Sequence, residues 1–408
     1  MIHIATDILL YFSVWFKWFF VKLEKNMQSI GIICEYNPFH RGHQKQMRMI
    51  REAVGEDAAI ICVMSGDFVQ RGDPALYPAS VRAKAAVLGG ADLVLQLPLT
   101  YSLRSAEGFA AGGVEILSAL GAVDQLCFGC ESREGLMETA QALCSAEFSA
   151  ALREQLDTGI SFAAARQRAL EAMGCDGSVI ETPNNILAVE YCKAILRQGS
   201  SLVPMPVIRE GGYHDELPDP ENPSASSLRR TEDFLPYVPE ETARCYEGKP
   251  QYRREYGEKA MLARLRTMTE EEFSRVPYGS EGLWSKVMRE CRLGGSVEEI
   301  LQGAKSKRYA YTRLSRLLMC AFLGITEELL EEKAPYVRIL AMSGRGRSVL
   351  RRCKTSSSVQ LLHAGERAPA CRYADLESRA ALCYDLFCSQ PNYRNYRAED
   401  TVFCAEKM

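Results

Sequence analysis

From Met27 to Ile208 short apolar runs alternate with amphipathic stretches. Ser29–Cys34 is an apolar run of strand length. His43–Val54 then carries Met47, Ile50 and Val54 at helical spacing. Ala58–Met64 is a second continuous apolar run, ended by Ser65–Gly66. Val81–Leu88 predicts a helix stopped by Gly89–Gly90, and Asp92–Leu97 a third strand closed by Pro98. Ala106–Leu120 predicts a helix ending at Gly121, and Asp124–Phe128 a fourth strand. Residues 133–199 read mostly as helix, an insertion before a fifth strand at Leu202–Ile208, whose prolines place it at an edge. From about Glu240 onward the pattern is helical, no strong strand is legible, and Gly–Gly or Pro breaks separate the pieces.

Such alternation means βαβ units and a parallel sheet covered on both faces. Ligands of such sheets bind at the carboxyl ends of the strands. The chemically informative residues follow the strands: Glu35–His43, Ser65–Pro74, Gly129–Glu131 and Arg209–Asp215. The expected division is an α/β domain at 27–245, with its helical insertion at about 133–199, and a helical C-terminal domain at 246–408.

The opening segment, residues 1–26, is aromatic-rich and apolar but interrupted by Asp7 and Lys17. Its uninterrupted part, Ile8–Phe16, falls short of the roughly 20 residues that span a bilayer. It lacks the basic start and small-residue cleavage site of a signal peptide. An interfacial anchor or an extra helix would fit it, but we read it as a misannotated extension with Met27 as the true start.

With 408 residues, 47% hydrophobic and 25% charged, the chain can build two or three cores. A net charge of −3 means that any nucleic-acid site is a local patch. The fifteen cysteines are scattered, mostly within apolar runs, and read as buried hydrophobes of a reducing cytoplasm. Cys127–Phe128–Gly129–Cys130 has no second pair at zinc-site spacing, so no metal site is assigned.

Of five histidines, His40 and His43 share the stretch EYNPFHRGHQ. A strand, a loop and a helix whose first turn holds histidines at i and i+3 put both imidazoles on one face. The helix N-terminus adds unpaired N–H groups and the positive end of its dipole. Gly42 would let a ligand approach the backbone. The arrangement suits stabilisation of an α-phosphate as pyrophosphate departs. A pair of helix-capping histidines is the plainer alternative. The stretch HRGH after the first strand resembles the HIGH-type motif of the nucleotidyltransferase superfamily. That superfamily carries a second, serine-rich turn with a basic residue, and Ser224–Arg230 (SASSLRR) fits it. The resemblance makes Ser226, Ser227 and Arg229 candidate phosphate ligands, where the residues alone would read as a helix cap.

EYNPFHRGH, SGDFVQRGDPA, GGADLVLQLP, FGCE, PNNILAVEY and YHDE together resemble the bacterial tRNA(Met) cytidine acetate ligase family from Met27 to at least Arg230, with echoes to about Lys354. The resemblance implies an α/β, Rossmann-like nucleotidyltransferase (HUP-type) parallel sheet with a helical C-terminal domain. It implies an ATP-dependent carbon–nitrogen ligase that activates acetate to acetyl-adenylate. The acetyl group then passes to N4 of the wobble cytidine of elongator tRNA(Met). His40 and His43 are the implied catalytic residues. The implied ATP-binding stretch is Ile33, Cys34, Glu35, Tyr36, Asn37, Pro38, Phe39, His40, Arg41, Gly42, His43, Gln44, Lys45 and Gln46. Gly129, Asn185 (ahead of Asn184), Arg209 and Glu210 join it. Mg2+ would accompany the phosphates, with no ligand named. Pro78–Val81, Gln96 and Asp67 depart from the family pattern, and no role is transferred to them.

Two basic stretches interleaved with tyrosine or glycine are the candidate tRNA contacts, and a solvated helix face is their plainer reading. One holds Lys305, Lys307, Arg308, Arg313 and Arg316; the other holds Arg345 and Arg347, where Gly344 and Gly346 suggest a loop able to approach a phosphate backbone. The motifs leave open a nucleotidyltransferase that adenylates a small metabolite and a non-catalytic RNA-binding relative.

Overall fold

The first apolar run forms β1 (Ser29–Cys34), and the later runs form β2 (Ala59–Ser65), β3 (Leu93–Leu97), β4 (Gln125–Cys130) and β5 (Val203–Ile208). They lie parallel in the order β3-β2-β1-β4-β5, with the proline-bearing β5 at the rim. Chain order reverses at β1, so the crevice between the carboxyl ends of β1 and β4 is the switch point where α/β sheets take ligands. This computed structural model describes residues 27–209, 219, 223–231, 233–306, 308–363, 366–394 and 402–405. The expectations for residues 1–26, the YHDE motif, Glu210 and Lys307 lie outside the described residues.

Helices α1 (Arg41–Val54), α2 (Ala79–Leu88), α3 (Ala106–Ala119) and α4 (Pro183–Gln198) cover the sheet. Strand alternation sorts the core. Ile30, Ile32, Ile60 and Cys62 pack with Met47, Ile50 and Ala83 on one face. Ile33, Ile61 and Val63 pack with Val114, Leu117 and Val189 on the other. Gly31 lets α3 settle close, since a Cβ there would stand 2.7 Å from Leu117 Cδ1.

The second half is not purely helical. Tyr336–Met342 forms β6, which pairs antiparallel with β3. Gln360–Leu362 (β7) and Phe403–Cys404 (β8) run parallel to β6. The expectation of no strong strand beyond Glu240 is corrected here. A short apolar run such as YVRILAM has no periodicity that separates a buried strand from a buried helix. The helices from Arg254 to Glu331 have their own core, including Leu265, Phe273, Ile300 and Leu317, which also takes in Phe68 and Leu103 from the first half. Among the described residues no helix is long and apolar enough to cross a membrane.

The second basic stretch is a helix, α7 (Gly344–Ser356), rather than a loop. Ser343 caps it and donates to Asp92 Oδ1 at 2.8 Å, while Asp92 Oδ2 accepts from Ile60 N at 3.0 Å. A Cβ at Gly346 would run into the Asp92 carbonyl oxygen, so this glycine serves helix-on-sheet packing. Arg345 donates to the Ala58 carbonyl at 3.3 Å, at the amino end of β2. It therefore lies at the edge of the sheet opposite the switch point.

Arg82 on α2 is fully buried. Its Nε donates to Tyr77 O at 2.8 Å, and its two terminal nitrogens to the carbonyls of Glu35, Ser65 and Gly66. The last three are the carboxyl ends of β1 and β2. Burying a guanidinium is costly, and charge-assisted bonds to carbonyl dipoles offset that cost. Arg82→Met is expected to lower stability by about 3 kcal/mol or more, because buried carbonyls lose their donors. The measurement is the urea midpoint; a variant within about 0.5 kcal/mol of the parent would remove Arg82 from this role.

Candidate active site

Between β1 and α1 the chain turns through Tyr36, which adopts the left-handed region at φ 46°. Tyr36 is buried, its ring 5.0 Å from Phe39 and 4.7 Å from His43. Phe39 is buried beside Gly89, where a Cβ would strike its ring, and its backbone N donates to Tyr246 Oη at 3.0 Å. The loop is thus packed from three sides before the helix begins.

His40 is the N-cap of α1. Its Nδ1 accepts from Gly42 N at 3.1 Å, and His43 Nδ1 accepts from His40 N at 3.3 Å. The pair makes a capping box from imidazoles instead of hydroxyl and carboxylate. An accepting Nδ1 carries no proton, so each neutral ring has its N–H at Nε2. The rings stack 3.7 Å apart. Burial, with Arg209 and Arg229 nearby, lowers His40 from 6.5 to about 3. Burial and then His40 and Arg209 hold His43 well below its ordinary value. Both act as neutral donors. A Cβ at Gly42 would meet the His40 ring at 3.0 Å, so this glycine makes room for the capping imidazole.

A cavity of about 580 Å³ opens at the ends of β1, β4 and β5. From the predicted stretch, Ile33, Cys34, Glu35, Tyr36, Asn37, His40, Gly42, His43, Lys45 and Gln46 line it; Pro38, Phe39, Arg41 and Gln44 do not. His40 Nε2 is buried without a hydrogen-bond partner in that wall. Gly129 lines it too, and a Cβ there would meet only Arg209 Cβ at 4.0 Å, leaving the backbone open to a planar ligand. Apolar Phe109, Ile186, Leu187 and Tyr191 complete a surface suited to a base. A second cavity of about 380 Å³ adjoins it across Glu35, His40, His43 and Arg209, and its wall includes Arg229, Arg230, Arg253 and Arg254.

The two asparagines have different surroundings. Asn185 is buried, and its Oδ1 accepts from Glu131 N at 2.9 Å and Ser132 N at 3.2 Å, bracing the loop after β4. Asn184 lines the cavity, its Oδ1 3.5 Å from an Arg209 guanidinium nitrogen. The serine-rich turn forms α5 (Ala225–Arg230), capped by Ser224. Ser227 is buried and donates to Ser224 O at 2.8 Å, so its hydroxyl serves the turn. Ser226 and Arg229 line the smaller cavity, and Arg229 reaches Asn37 O at 3.0 Å, joining α5 to the histidine loop.

The first basic stretch divides. Lys305 and Arg308 are exposed, and Arg308 pairs with Glu281 at 2.8 Å. Arg313 donates to Tyr278 O at 3.0 Å. Arg316 turns inward on α6 (Tyr311–Leu323) and lines the larger cavity. Arg347 is exposed on α7. Arg82 is a position that pattern reading missed, and Arg316, read there as one of a surface basic stretch, turns inward: neither side chain's direction is legible until the sheet order is known. Asp67, Pro78–Ser80 and Gln96 line a separate cavity of about 780 Å³ that shares no residue with the histidine cavity. Asp67 Oδ1 accepts from Ala79 N at 2.8 Å at the start of α2.

A family model described as HIGH Nucleotidyl Transferase matches residues 27–399. The tRNA(Met) cytidine acetate ligase of Clostridium novyi is 34% identical over 358 residues, covering 82% of this chain and 89% of the relative. That of Acetivibrio thermocellus is 33% identical over 412 residues, covering 92% and 99%. The crystal structure of Thermotoga maritima TmcAL bound with alpha-thio ATP superposes with a TM-score of 0.82 at 27% identity, covering 93% of this chain and 100% of that one.

The neutral histidines bear on stability. His40 binds a proton near pH 6.5 when unfolded and only at about 3 when folded. Its stabilising contribution is complete above pH 6.5 and is lost as pH falls toward 3. On the order of 2–3 kcal/mol is lost by about pH 4.5. His40→Asn keeps an acceptor at the cap and removes the titration, so its unfolding free energy should fall less steeply over that range in urea melts. Equal slopes for parent and variant would contradict the buried neutral imidazole.

Proposed function

This chain belongs to the tRNA(Met) cytidine acetate ligase family, and from that membership we propose that it activates acetate with ATP and acetylates N4 of the wobble cytidine of elongator tRNA(Met), forming N4-acetylcytidine. The observation that carries the mechanism is the stacked pair of neutral imidazoles at the start of α1, facing a cavity at the switch point. ATP lies with its base against Gly129 and the apolar wall and its phosphates toward His40, His43 and Arg209. An acetate oxygen attacks the α-phosphorus, and the bond to the bridging oxygen breaks as pyrophosphate leaves. The Nε2–H groups donate to oxygens that gain charge, as preorganised dipoles that need not reorient. The substrate carboxylate is the nucleophile, so no protein nucleophile is required. The cytidine amine then attacks the carbonyl carbon of the mixed anhydride, AMP leaves, and the nitrogen gives up a proton.

Arg229 and Ser226 suit the β- and γ-phosphates from the adjoining arginine-lined cavity. Asn184 is the asparagine we assign to the nucleotide. Magnesium arriving with ATP takes its ligands largely from phosphate and water. Among the described residues no three His, Cys, Asp or Glu side chains come together for it, and Glu35 is a carboxylate lining both cavities. In this reading residues 27–245 carry adenylation and the helical half from 246 carries tRNA contacts, with Lys305 and Arg308 on its surface. The substrates are those of the cytoplasm.

ATP–pyrophosphate exchange that requires acetate, together with N4-acetylcytidine in tRNA hydrolysates by mass spectrometry, is the expected result. Exchange without the acetylated nucleoside would favour a small-metabolite acceptor. His40→Asn and His43→Asn are each expected to lose about 100-fold or more of exchange with unchanged circular dichroism. Asn184→Ala should raise the KM for ATP, whereas Asn185→Ala should act on stability. The reverse pattern would restore Asn185 as the nucleotide contact.

A further inference from the structure

The basic stretch Lys305–Arg316 reads in sequence as one surface, yet Arg316 belongs to the interior. It is 8% exposed, and it lines the histidine cavity together with Thr312, one turn earlier on α6. Its Nε is buried without a hydrogen-bond partner. No carboxylate pairs with it among the described residues. Its neighbours on the same lobe differ: Arg254 is tied to Asp73, Arg308 to Glu281, and Arg313 to Tyr278 O. The guanidinium lies 5.3 Å from the Tyr278 ring centroid, a cation–π contact that offsets part of its desolvation. A buried arginine with an unused N–H in a cavity wall is a counter-charge awaiting an anion.

We propose that Arg316 binds the carboxylate of the acyl substrate. This rests on the acetate-activating reading above. The phosphates already have His40, His43, Arg209 and the adjoining arginine-lined cavity, and Arg316 does not line that second cavity. The wall beside Arg316 suits a short aliphatic acid. Tyr278 Oη donates to Leu103 O at 2.8 Å, which sets its ring against the start of α3, where Ala106 and Phe109 line the cavity. A fork of N–H donors holds a carboxylate in one plane, and the ring and methyl walls strip its water. One oxygen stays directed at the α-phosphorus, forms the new P–O bond and displaces pyrophosphate. Arg316 keeps its proton throughout. The helical half thereby supplies part of the adenylation site.

The test uses the full chain and follows acetate-dependent ATP–pyrophosphate exchange in the parent, Arg316→Lys and Arg316→Gln. The KM for acetate should rise about tenfold or more in Arg316→Gln and less in Arg316→Lys, while the KM for ATP and the Kd of a non-hydrolysable ATP analogue stay within about twofold. An acetate KM within about twofold of the parent in both variants would overturn the assignment. So would a parallel rise in the ATP constants, which would make Arg316 a phosphate contact. If Arg316→Gln does not fold, the parent still decides. Acetate with the ATP analogue should protect Arg316 from phenylglyoxal, read by peptide mass, and unchanged labelling would refute the contact. A parent protein whose exchange ignores acetate defeats the underlying function as well; an acetate-dependent parent with indifferent variants defeats only the role of Arg316.

Discussion

The carboxyl ends of two parallel strands present carbonyl oxygens that point at nothing once the ladder stops, and in this protein Arg82 answers them. It is a full charge held by backbone dipoles, without a carboxylate partner among the described residues. Because the same guanidinium grips Glu35 O from the first strand and Ser65 O and Gly66 O from the second, it fixes the spacing of the two loops that follow. The histidine loop is one of them. Its geometry is therefore set from beneath by a buried cation and from the side by Tyr246 and Arg229.

That support explains how histidines can serve as a capping box. A histidine cap works only with a deprotonated Nδ1, and burial beside arginines keeps both rings in that state. Cap and chemistry share one requirement: the nitrogen that holds the helix end cannot be the one facing substrate. Positive potential comes from arginines and the helix end, while the imidazoles contribute aimed dipoles.

Much of this was legible along the chain. Five strands, their order of appearance and the proline-marked edge follow from apolar runs and breakers, and HRGH after the first run marks the switch point. What stayed hidden needed three dimensions. The buried strand Tyr336–Met342 carries no periodicity to tell it from a helix. Asn184 and Asn185 are adjacent and chemically identical, and only the helix start decides which one faces the cavity. Arg316 sits among surface arginines in sequence, and its inward turn depends on α6 packing against Gly72 of the first half and on Tyr278 beside it in its own half. Gly344 and Gly346 suggested a loop because glycine's packing role has no signature of its own.

The antiparallel strand near the end of the chain has a bearing on biosynthesis. Strand β3 emerges from the ribosome early, yet its outer edge is covered only when Tyr336–Met342 has been made. Until then a row of unpaired N–H and C=O groups stands open beside an apolar sheet, the arrangement that invites pairing with other nascent chains. Closing it requires contacts between segments far apart in sequence, which slows folding. The sheet is finished last on the side away from the histidines, so the switch-point half can assemble around Arg82 while the far edge still waits for its partner.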